Sequence, residues 1–281
     1  MDILSAPSTA ALLGSALAVL FLVANAKSLP FAHSLRLLPS LYRLLLRPRL
    51  FPAAARKGGA EPSSGSAAAA AAARPALFKH HVTSSRAVLL DLDINMHKSN
   101  STFFADADIN RAELLTRLLG RGLAAATTGP PRAATIPLLA AVQCTFKREI
   151  SPFQAYDLSS RILAWDAKSL FTVTYFLKPG AGAKLLPADA DVLGGPGSVL
   201  GDQKLRRCVY AAMVTRYVCK AGRETVAPAA VLEAAGLLVV VPGAKVVADG
   251  EPSHDITSLL AADYVSKAVE SGMQYVGECM V

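Results

Sequence analysis

The residues of this chain that could do chemistry together lie where an apolar strand pattern gives way to a helical one. Asp91, Asp93 and His97 fall within seven residues, and Asn100 follows shortly after them. A carboxylate can act as a nucleophile or general base, and a histidine can move a proton near neutral pH. The start of a helix near Asn100 would offer unpaired backbone N–H groups and the positive end of the helix dipole. Such a cluster suits attack on a carbonyl, because the helix end can hold the developing oxyanion.

Several other kinds of site find no support in the sequence. Ser198 lies in GGPGSVLG, where Pro196 and Leu200 replace the glycines of a nucleophile elbow. No phosphate-binding glycine loop follows a strand pattern. The four cysteines are Cys144, Cys208, Cys219 and Cys279. They form no CxxC pair or Cys/His cluster, so free thiols are a simpler interpretation than a zinc site or disulfides, and no cofactor is predicted.

Changes in hydrophobic period predict the elements that would position the cluster. Residues 81–92 are expected to form a strand. From Asn100, apolar residues return at three- and four-residue steps until Gly120, which predicts a helix of about five turns. The period then becomes two and predicts four strands joined as an antiparallel meander, around residues 142–146, 158–164, 171–177 and 208–218. One helix against one antiparallel sheet is an α+β layer fold.

The rest of the chain is less regular. Residues 179–205 are rich in Gly, Pro and Asp and read as an insertion or flexible loop. A short helix is expected over residues 228–235, ended by Gly236, with a short strand over 237–241 and a last helix over 256–271. These elements could cover an edge of the sheet or form a lid.

The net charge of +8 is concentrated in the N-terminal arm. Residues 27–57 contain seven basic residues and no acidic one, whereas basic and acidic residues nearly balance from Pro75 onward. A nucleic-acid partner is therefore not predicted, because the main body carries no basic excess.

The beginning of the chain is predicted to be a membrane anchor. Residues 9–26 carry no charge, and as a helix they would extend about 27 Å, close to the roughly 30 Å of a hydrocarbon core. Small residues at 24–26 would also suit a cleaved signal peptide, but a basic n-region is missing. The basic flank follows the apolar stretch, which favours an uncleaved single-pass anchor over residues 1–30. We expect it in the endoplasmic reticulum membrane, with the C-terminal domain in the cytosol.

Two segments are expected to separate the anchor from the folded body. Residues 31–50 mix leucines with arginines, and they could lie on an anionic membrane surface or form a solvated stalk. Residues 52–74 have the low-complexity composition of a disordered tether. The sequence thus predicts a basic juxtamembrane segment and linker over residues 31–74 and a folded domain over residues 75–281.

The chemical cluster belongs to a longer motif. The run D-x-D-x-x-x-H-x-x-N-x-x-F is formed by Asp91, Asp93, His97, Asn100 and Phe103, and it is followed by Asp108 and Arg111. This motif resembles the strand-to-helix segment of hot-dog-fold acyl thioesterases. It is most similar to the branch typified by thioesterase superfamily member 6 and to related fungal thioesterase-like proteins, some of which belong to secondary-metabolite pathways. The resemblance extends over residues 80–220.

The resemblance implies a fold, an assembly and an activity. A hot-dog fold is a long helix wrapped by an antiparallel sheet, and two such units would pair edge to edge as a homodimer with acyl sites at their interface. The implied activity is hydrolysis of acyl-CoA or carrier-bound acyl thioesters at a membrane surface, in lipid or secondary-metabolite biosynthesis. The implied partners are the acyl thioester, carried by coenzyme A or acyl carrier protein, and membrane lipid around residues 9–26.

The resemblance also implies roles for particular residues. By motif position, Asp93 is the nucleophile or general base, and Asn100 could orient the water or the thioester. His97 is either a hydrogen-bonding residue at the start of the helix or an acid or base. Asp108 and Arg111, three residues apart on the helix, are expected to form an ion pair that holds it to the sheet or to a dimer partner.

The chain departs from the branch at polar positions. The branch reads H-M-N-N-x-x-Y, whereas this chain has Lys98 and Ser99 before Asn100, and Phe103 for the tyrosine. This loss of polar groups favours, as an alternative, a non-catalytic hot-dog module that binds acyl chains or partners at a membrane. A dehydratase that uses His97 with a carboxylate is a third hypothesis, with less support because that class usually places the two groups on different elements.

Overall fold

A long helix packs on an antiparallel sheet. The structure is a computed structural model, and it describes residues 9–46, 50, 76–125, 135–181, 206–238 and 256–280. The strands are β1 His81–Arg86, β2 Thr135–Phe146, β3 Ala155–Trp165, β4 Ser169–Leu177, β5 Val209–Ala221 and β6 Glu224–Val226. The helices are α1 Thr9–Ala24, α2 Ala32–Leu41, α3 Asn100–Ala125, α4 Pro228–Ala234 and α5 Ile256–Cys279. The predicted tether over residues 52–74 lies outside the described residues, as do most of the predicted 179–205 loop and 237–241 strand.

The strand order confirms the α+β fold and corrects the predicted connectivity. All strand pairs are antiparallel, and the order is β1-β3-β4-β5-β2 with β6 beside β5. The predicted meander is wrong for β2, which pairs with β5 and not with β3. Because β3 pairs with β1 along one edge and with β4 along the other, β2 cannot be its neighbour. The chain therefore crosses the sheet between β2 and β3. Helix α3 precedes β2 and packs on one face of the sheet, and this is the hot-dog arrangement.

Helix α3 begins at Asn100 as predicted, and its apolar side faces the sheet. Phe103, Ala107, Leu114 and Leu115 recur at helical spacing and are all buried. Phe103, Ala107 and Leu115 pack against apolar residues of β3, β4 and β5, which include Leu158, Phe176 and Tyr217. Burial of this stripe against the sheet is what stabilises so long a helix, since most helical stability in proteins comes from tertiary packing.

The C-terminal end of α3 is later than predicted. Gly120 does not stop the helix, which continues to Ala125. At Gly122, α3 lies so close to α4 that an added Cβ would be 2.0 Å from the carbonyl oxygen of Val231. The contact with α4 therefore extends the helix past the residue at which the local pattern ended.

Replacing Gly122 with alanine is expected to lower the free energy of unfolding by about 1–3 kcal/mol, because the methyl group would overpack the contact with α4. Gly120→Ala is the matched control, since its Cβ would meet nothing within 4 Å. That substitution should stabilise the protein by up to about 1 kcal/mol through helix propensity. Urea denaturation measures both variants, and equal stability would contradict the close approach of α3 and α4.

Arg111 forms an ion pair within α3 and connects the helix to the sheet. Arg111 Nη2 lies 2.8 Å from Asp108 Oδ1, which confirms the predicted pair. Arg111 is buried, and its Nη1 donates a hydrogen bond of 2.8 Å to Thr215 Oγ1 on β5. The arginine therefore connects the helix to the sheet within one chain.

Helix α5 covers the opposite face of the sheet. Met273 and Val276 pack against Leu163 and Phe171 on this face. The helix extends to Cys279, beyond the predicted end at residue 271, because its last turns continue this apolar contact.

The N-terminal segment folds against the body, upstream of the boundary expected near Pro75. Asn25 and Ser40 are buried, Leu44 joins the apolar core, and α2 contacts α3. Helix α1 has no buried residue. Within the part of the chain that the structure describes, no helix combines the length and apolar character needed to cross a membrane.

Candidate functional site

The predicted first strand ends early, and a turn replaces its last residues. Strand β1 ends at Arg86, Leu89–Asp91 form one 3-10 turn, and the backbone then reverses between Asp93 and His97. The N–H of Asp93 donates to the carbonyl of His97 at 2.9 Å, and the N–H of Met96 donates to the carbonyl of Asp93 at 3.0 Å. We call residues 87–99 the site turn, because it joins β1 to the start of α3.

The Asp93 carboxylate is oriented by this turn. Its Oδ1 accepts hydrogen bonds from the N–H of Asn95 at 2.9 Å and from the N–H of His97 at 3.4 Å. The second contact is long, so the Asn95 amide is the main restraint. The side chain is half-buried, which leaves the carboxylate accessible from the adjoining pocket.

A pocket of about 610 Å³ brings the three predicted site residues together. One wall comes from the site turn and the first turn of α3, and it includes Asp93, His97, Asn100 and Phe103. The other wall is residues 146–149, at the end of β2. The volume lies within the range of about 300–1,000 Å³ that is typical of small-molecule sites. The grouping of Asp93 with the N-terminal end of α3, inferred from the sequence, is therefore present.

The pocket combines an aromatic wall with a polar rim. The rings of Phe103 and Phe146 meet edge to face, with centroids 5.2 Å apart. Lys147 and Arg148 follow Phe146 and are exposed. His97 Nε2 lies 3.2 Å from Glu149 Oε2, so the histidine side chain connects the two walls.

The start of α3 is held by the site turn. The N–H of Ser99 donates to the carbonyl of Asp91 at 2.8 Å, and Thr102 Oγ1 donates to the carbonyl of Ser99 at 2.8 Å. Asn100 is the first helical residue, and its exposed side chain lines the pocket. The first N–H groups of a helix have no partner within the helix, so they can receive a negatively charged oxygen there.

A buried charged cluster lies beneath the site turn. Lys98 Nζ is 2.9 Å from Asp106 Oδ2 and 3.3 Å from Asp91 Oδ2. Lys27 Nζ, from the segment after α1, is 2.6 Å from Asp91 Oδ2 and 3.1 Å from Asp106 Oδ2. The hydroxyl of Tyr156 donates to Asp106. Two ammonium groups thus balance two carboxylates in a region from which water is largely excluded.

The electrostatics of this charged cluster favour the ionised carboxylates. Burial alone would raise the pKa of Asp106, but the ammonium groups of Lys98 and Lys27 outweigh it and hold that pKa below its ordinary value. The pKa of Asp91 is likewise lowered, because Lys98 and the hydrogen bonds from Lys27 and Ser28 exceed the effect of burial. Burial lowers the pKa of Lys98, and the carboxylate of Asp106 opposes that shift. Burial raises the pKa of Tyr156, so it stays a hydrogen-bond donor.

Sequence reasoning missed most of this charged cluster. The motif contains Asp91 and departs from the branch at Lys98, but no local pattern connects either residue to Asp106 or to Lys27. A lysine between a buried strand end and a helix does signal a nearby acid, because an unpaired buried charge is very costly. The distance of 79 residues between Lys27 and Asp106 carries no such local signal.

The fold and the pocket define a hot-dog protein with an acidic side chain beside the start of its central helix. The family model of the thioesterase-like superfamily matches residues 88–235, more than half of the chain. The chain belongs to this superfamily.

Curated relatives carry thioesterase names. The chain is 41% identical to "Thioesterase poxG" of Penicillium oxalicum over 192 residues, which cover 65% of this chain and 61% of that protein. It is 34% identical to "Probable thioesterase atnL" of Emericella nidulans over 237 residues, 78% of this chain and 70% of that protein. It thus spans about three fifths of the first relative's length. A solved probable thioesterase from Escherichia coli overlaps 57% of this chain and 99% of its own, with 12% identity and a TM-score of 0.41.

Proposed function

We propose that this protein is an acyl thioesterase that hydrolyses acyl-CoA or carrier-bound acyl thioesters at a membrane surface, in lipid or secondary-metabolite biosynthesis. The observation that carries the proposal is the shared pocket of Asp93 and the N-terminal end of α3. Membership of the thioesterase-like superfamily and the thioesterase names of the relatives support it.

The geometry suggests how the reaction would proceed. The thioester carbonyl would lie at the start of α3, where backbone N–H groups and the helix dipole stabilise an oxyanion. Asp93 would either take a proton from water, whose oxygen then attacks the carbonyl carbon, or attack that carbon itself. In both routes the carbon–sulfur bond breaks and the thiolate leaves, and in the second route water then hydrolyses the acyl-enzyme anhydride. The amide of Asn100 would orient the water or the thioester.

The walls of the pocket fit both parts of such a substrate. Phe103 and Phe146 offer an apolar surface to the acyl chain next to the carbonyl. Lys147 and Arg148 at the rim suit the phosphate groups of coenzyme A or of a phosphopantetheine arm. The chemistry of the rim thus supports a thioester carrier that bears phosphate.

The full chain should release free thiol from medium- and long-chain acyl-CoA, and a thiol reagent measures this release. The alternative is a non-catalytic module that binds acyl ligands. It is favoured by the amide contacts of Asp93, which give this carboxylate a structural role. Tight binding of acyl-CoA without thiol release would support the module and contradict the thioesterase.

The proposed location is the endoplasmic reticulum membrane, with residues 1–30 as a single-pass anchor and the C-terminal domain in the cytosol. Helix α1 carries no charged residue, and Leu13, Leu17 and Leu20 are exposed. Its C-terminal end lies beside the site turn, since the N–H of Leu90 donates to Asn25 Oδ1 at 3.0 Å. Such an arrangement would hold the pocket near lipid, where long acyl chains partition. A homodimer would form through β2, which pairs on one side only among the described strands.

The double variant Leu13→Asp with Leu20→Asp is expected to abolish association of the full chain with lipid vesicles. A charged residue costs about 2.5–3.5 kcal/mol at the centre of a membrane helix, so each change should weaken insertion about a hundredfold. The matched control is Leu138→Asp with Leu139→Asp, two exposed leucines of β2. This control should keep vesicle flotation and lose the dimer in sedimentation. Unchanged flotation of the first variant would contradict the anchor.

A further inference from the structure

The short segment between α1 and α2 contributes three side chains to the site turn. Lys27 Nζ pairs with Asp91 Oδ2 at 2.6 Å, and the hydroxyl of Ser28 donates to Asp91 Oδ1. Asn25 Oδ1 accepts from the N–H of Leu90 at 3.0 Å. These contacts join residues more than 60 positions apart, so tertiary folding alone brings them together.

Asp91 is the residue through which this segment can act on the pocket. The carbonyl of Asp91 accepts hydrogen bonds from the N–H of Ser99 at 2.8 Å and from Thr102 Oγ1 at 3.3 Å, at the start of α3. Its carboxylate also accepts a 3.4 Å contact from the N–H of Val88. Asp93 is only two residues further along the backbone. Asp91 therefore holds the start of α3 directly, and it holds the backbone two residues before Asp93.

Lys27 also balances the charge around Asp91. Without Lys27, Asp91 would keep only Lys98 among its cationic partners, whereas Asp106 would keep both Lys98 and Arg36. Both carboxylates are within 3.1 Å of Lys27 Nζ, and the lysine side chain is 17% exposed. Without Lys27 the two carboxylates would repel each other across a poorly solvated gap.

We propose that Lys27 is a positioning residue for the thioesterase site: it holds Asp91, and through Asp91 it sets the spacing between Asp93 and the start of α3. The short segment between α1 and α2 then positions the active site. This inference rests on the proposed thioesterase activity. It predicts that turnover depends on a contact made three residues after the end of α1.

Arg36 provides a matched control. Its Nη1 lies 3.2 Å from Asp106 Oδ1, so it is also a cation from the N-terminal segment that pairs with the charged cluster. Its side chain is 33% exposed, and it pairs with Asp106, whereas Lys27 pairs with both Asp91 and Asp106. If removal of a positive charge were the cause, kcat would fall in both variants. If the lost contact with Asp91 is the cause, kcat falls only in the Lys27 variant.

The test compares Lys27→Ala, Lys27→Arg and Arg36→Ala in the full chain. For Lys27→Ala we expect kcat per folded molecule to fall about tenfold to a hundredfold, because a displacement of about 1 Å can cost that much. In Lys27→Ala, KM should change less than kcat. Lys27→Arg should recover most of the lost kcat. The kcat of Arg36→Ala should stay near that of the unaltered chain. An unchanged kcat in Lys27→Ala, or an equal fall in Arg36→Ala, would overturn the proposal.

A second measurement does not need turnover. Amide hydrogen exchange of residues 93–102 should accelerate in Lys27→Ala and not in Arg36→Ala, because the Ser99 N–H bonds directly to Asp91. Unchanged exchange in Lys27→Ala would show that Lys27 does not hold the turn and would overturn the inference. Failure of the proposed function is seen separately, as absence of thiol release from the unaltered chain.

Discussion

Asp93→Asn is expected to lower kcat for acyl-CoA hydrolysis by about 10²- to 10⁴-fold, the contribution typical of a positioned general base. A larger fall is expected if Asp93 is the nucleophile, because an amide cannot form the acyl-enzyme intermediate. Asparagine has nearly the shape of aspartate, and its Oδ1 can still accept from the N–H of Asn95. The substitution therefore removes the negative charge and the basicity while it keeps the turn.

Glu113→Gln is a suitable control for that experiment. Glu113 is also an acid, it lies in the second half of α3, and its contact is with His81 at 3.0 Å. Its replacement should leave kcat within about twofold of the unaltered chain, since a partly exposed ion pair contributes little. Turnover by Asp93→Asn equal to that of the unaltered chain would remove Asp93 from the mechanism.

Lys98→Met should destabilise the protein by about 3 kcal/mol at neutral pH. The branch that the motif resembles has methionine at this position, so the substitution restores the side chain that is typical of the branch. Here, however, it leaves Asp91 and Asp106 buried with Lys27 as their main partner. Breaking a buried pair typically costs about 3–5 kcal/mol, and the remaining lysine places the expected value at the lower end.

The loss of stability in Lys98→Met is expected to become smaller as the pH falls. The pKa values of Asp91 and Asp106 are lowered in the folded protein. Such carboxyls contribute stability above their unfolded pKa of about 4, and this stability is lost as pH falls through the lower folded pKa. The difference between the unaltered chain and Lys98→Met should therefore be largest at neutral pH and shrink below about pH 4. Urea denaturation at several pH values measures it.

A double variant separates charge from packing. Asp106→Asn in the Lys98→Met background removes one of the two carboxylates that have lost Lys98 as a partner, so it should recover part of the lost stability. Its amide oxygen can still accept from the Tyr156 hydroxyl. No recovery in the double variant would show that the loss comes from the packing of the new methionine and not from charge.

Much of the candidate site could be predicted because its signals are local. Asp93, His97 and Asn100 are close in the chain, and the change of hydrophobic period between them marked where the helix begins. Since a helix start is set by neighbouring residues, α3 begins at Asn100 as expected. The i, i+3 spacing of Asp108 and Arg111 likewise identified their ion pair.

Other features were decided by contacts between distant segments. The end of α3 depends on α4, which lies against Gly122, and local pattern pointed instead to Gly120. The place of β2 at the edge of the sheet depends on pairing with β5, whereas alternation along a strand says nothing about its neighbour. Both errors have one cause, namely that pairing and packing partners are not encoded in a local period.

The sequence by itself determined the chemical groups of the site, their order and the helix start beside which they lie, because residue type and short spacing set these. Only the tertiary structure decided which residues from distant parts of the chain hold these groups in position. Lys27 and Asp106 are 79 residues apart, and their ion pair exists only because the N-terminal segment folds beneath the site turn. The cost of burying a charge without a partner requires some such contact, but it does not say which residue will make it.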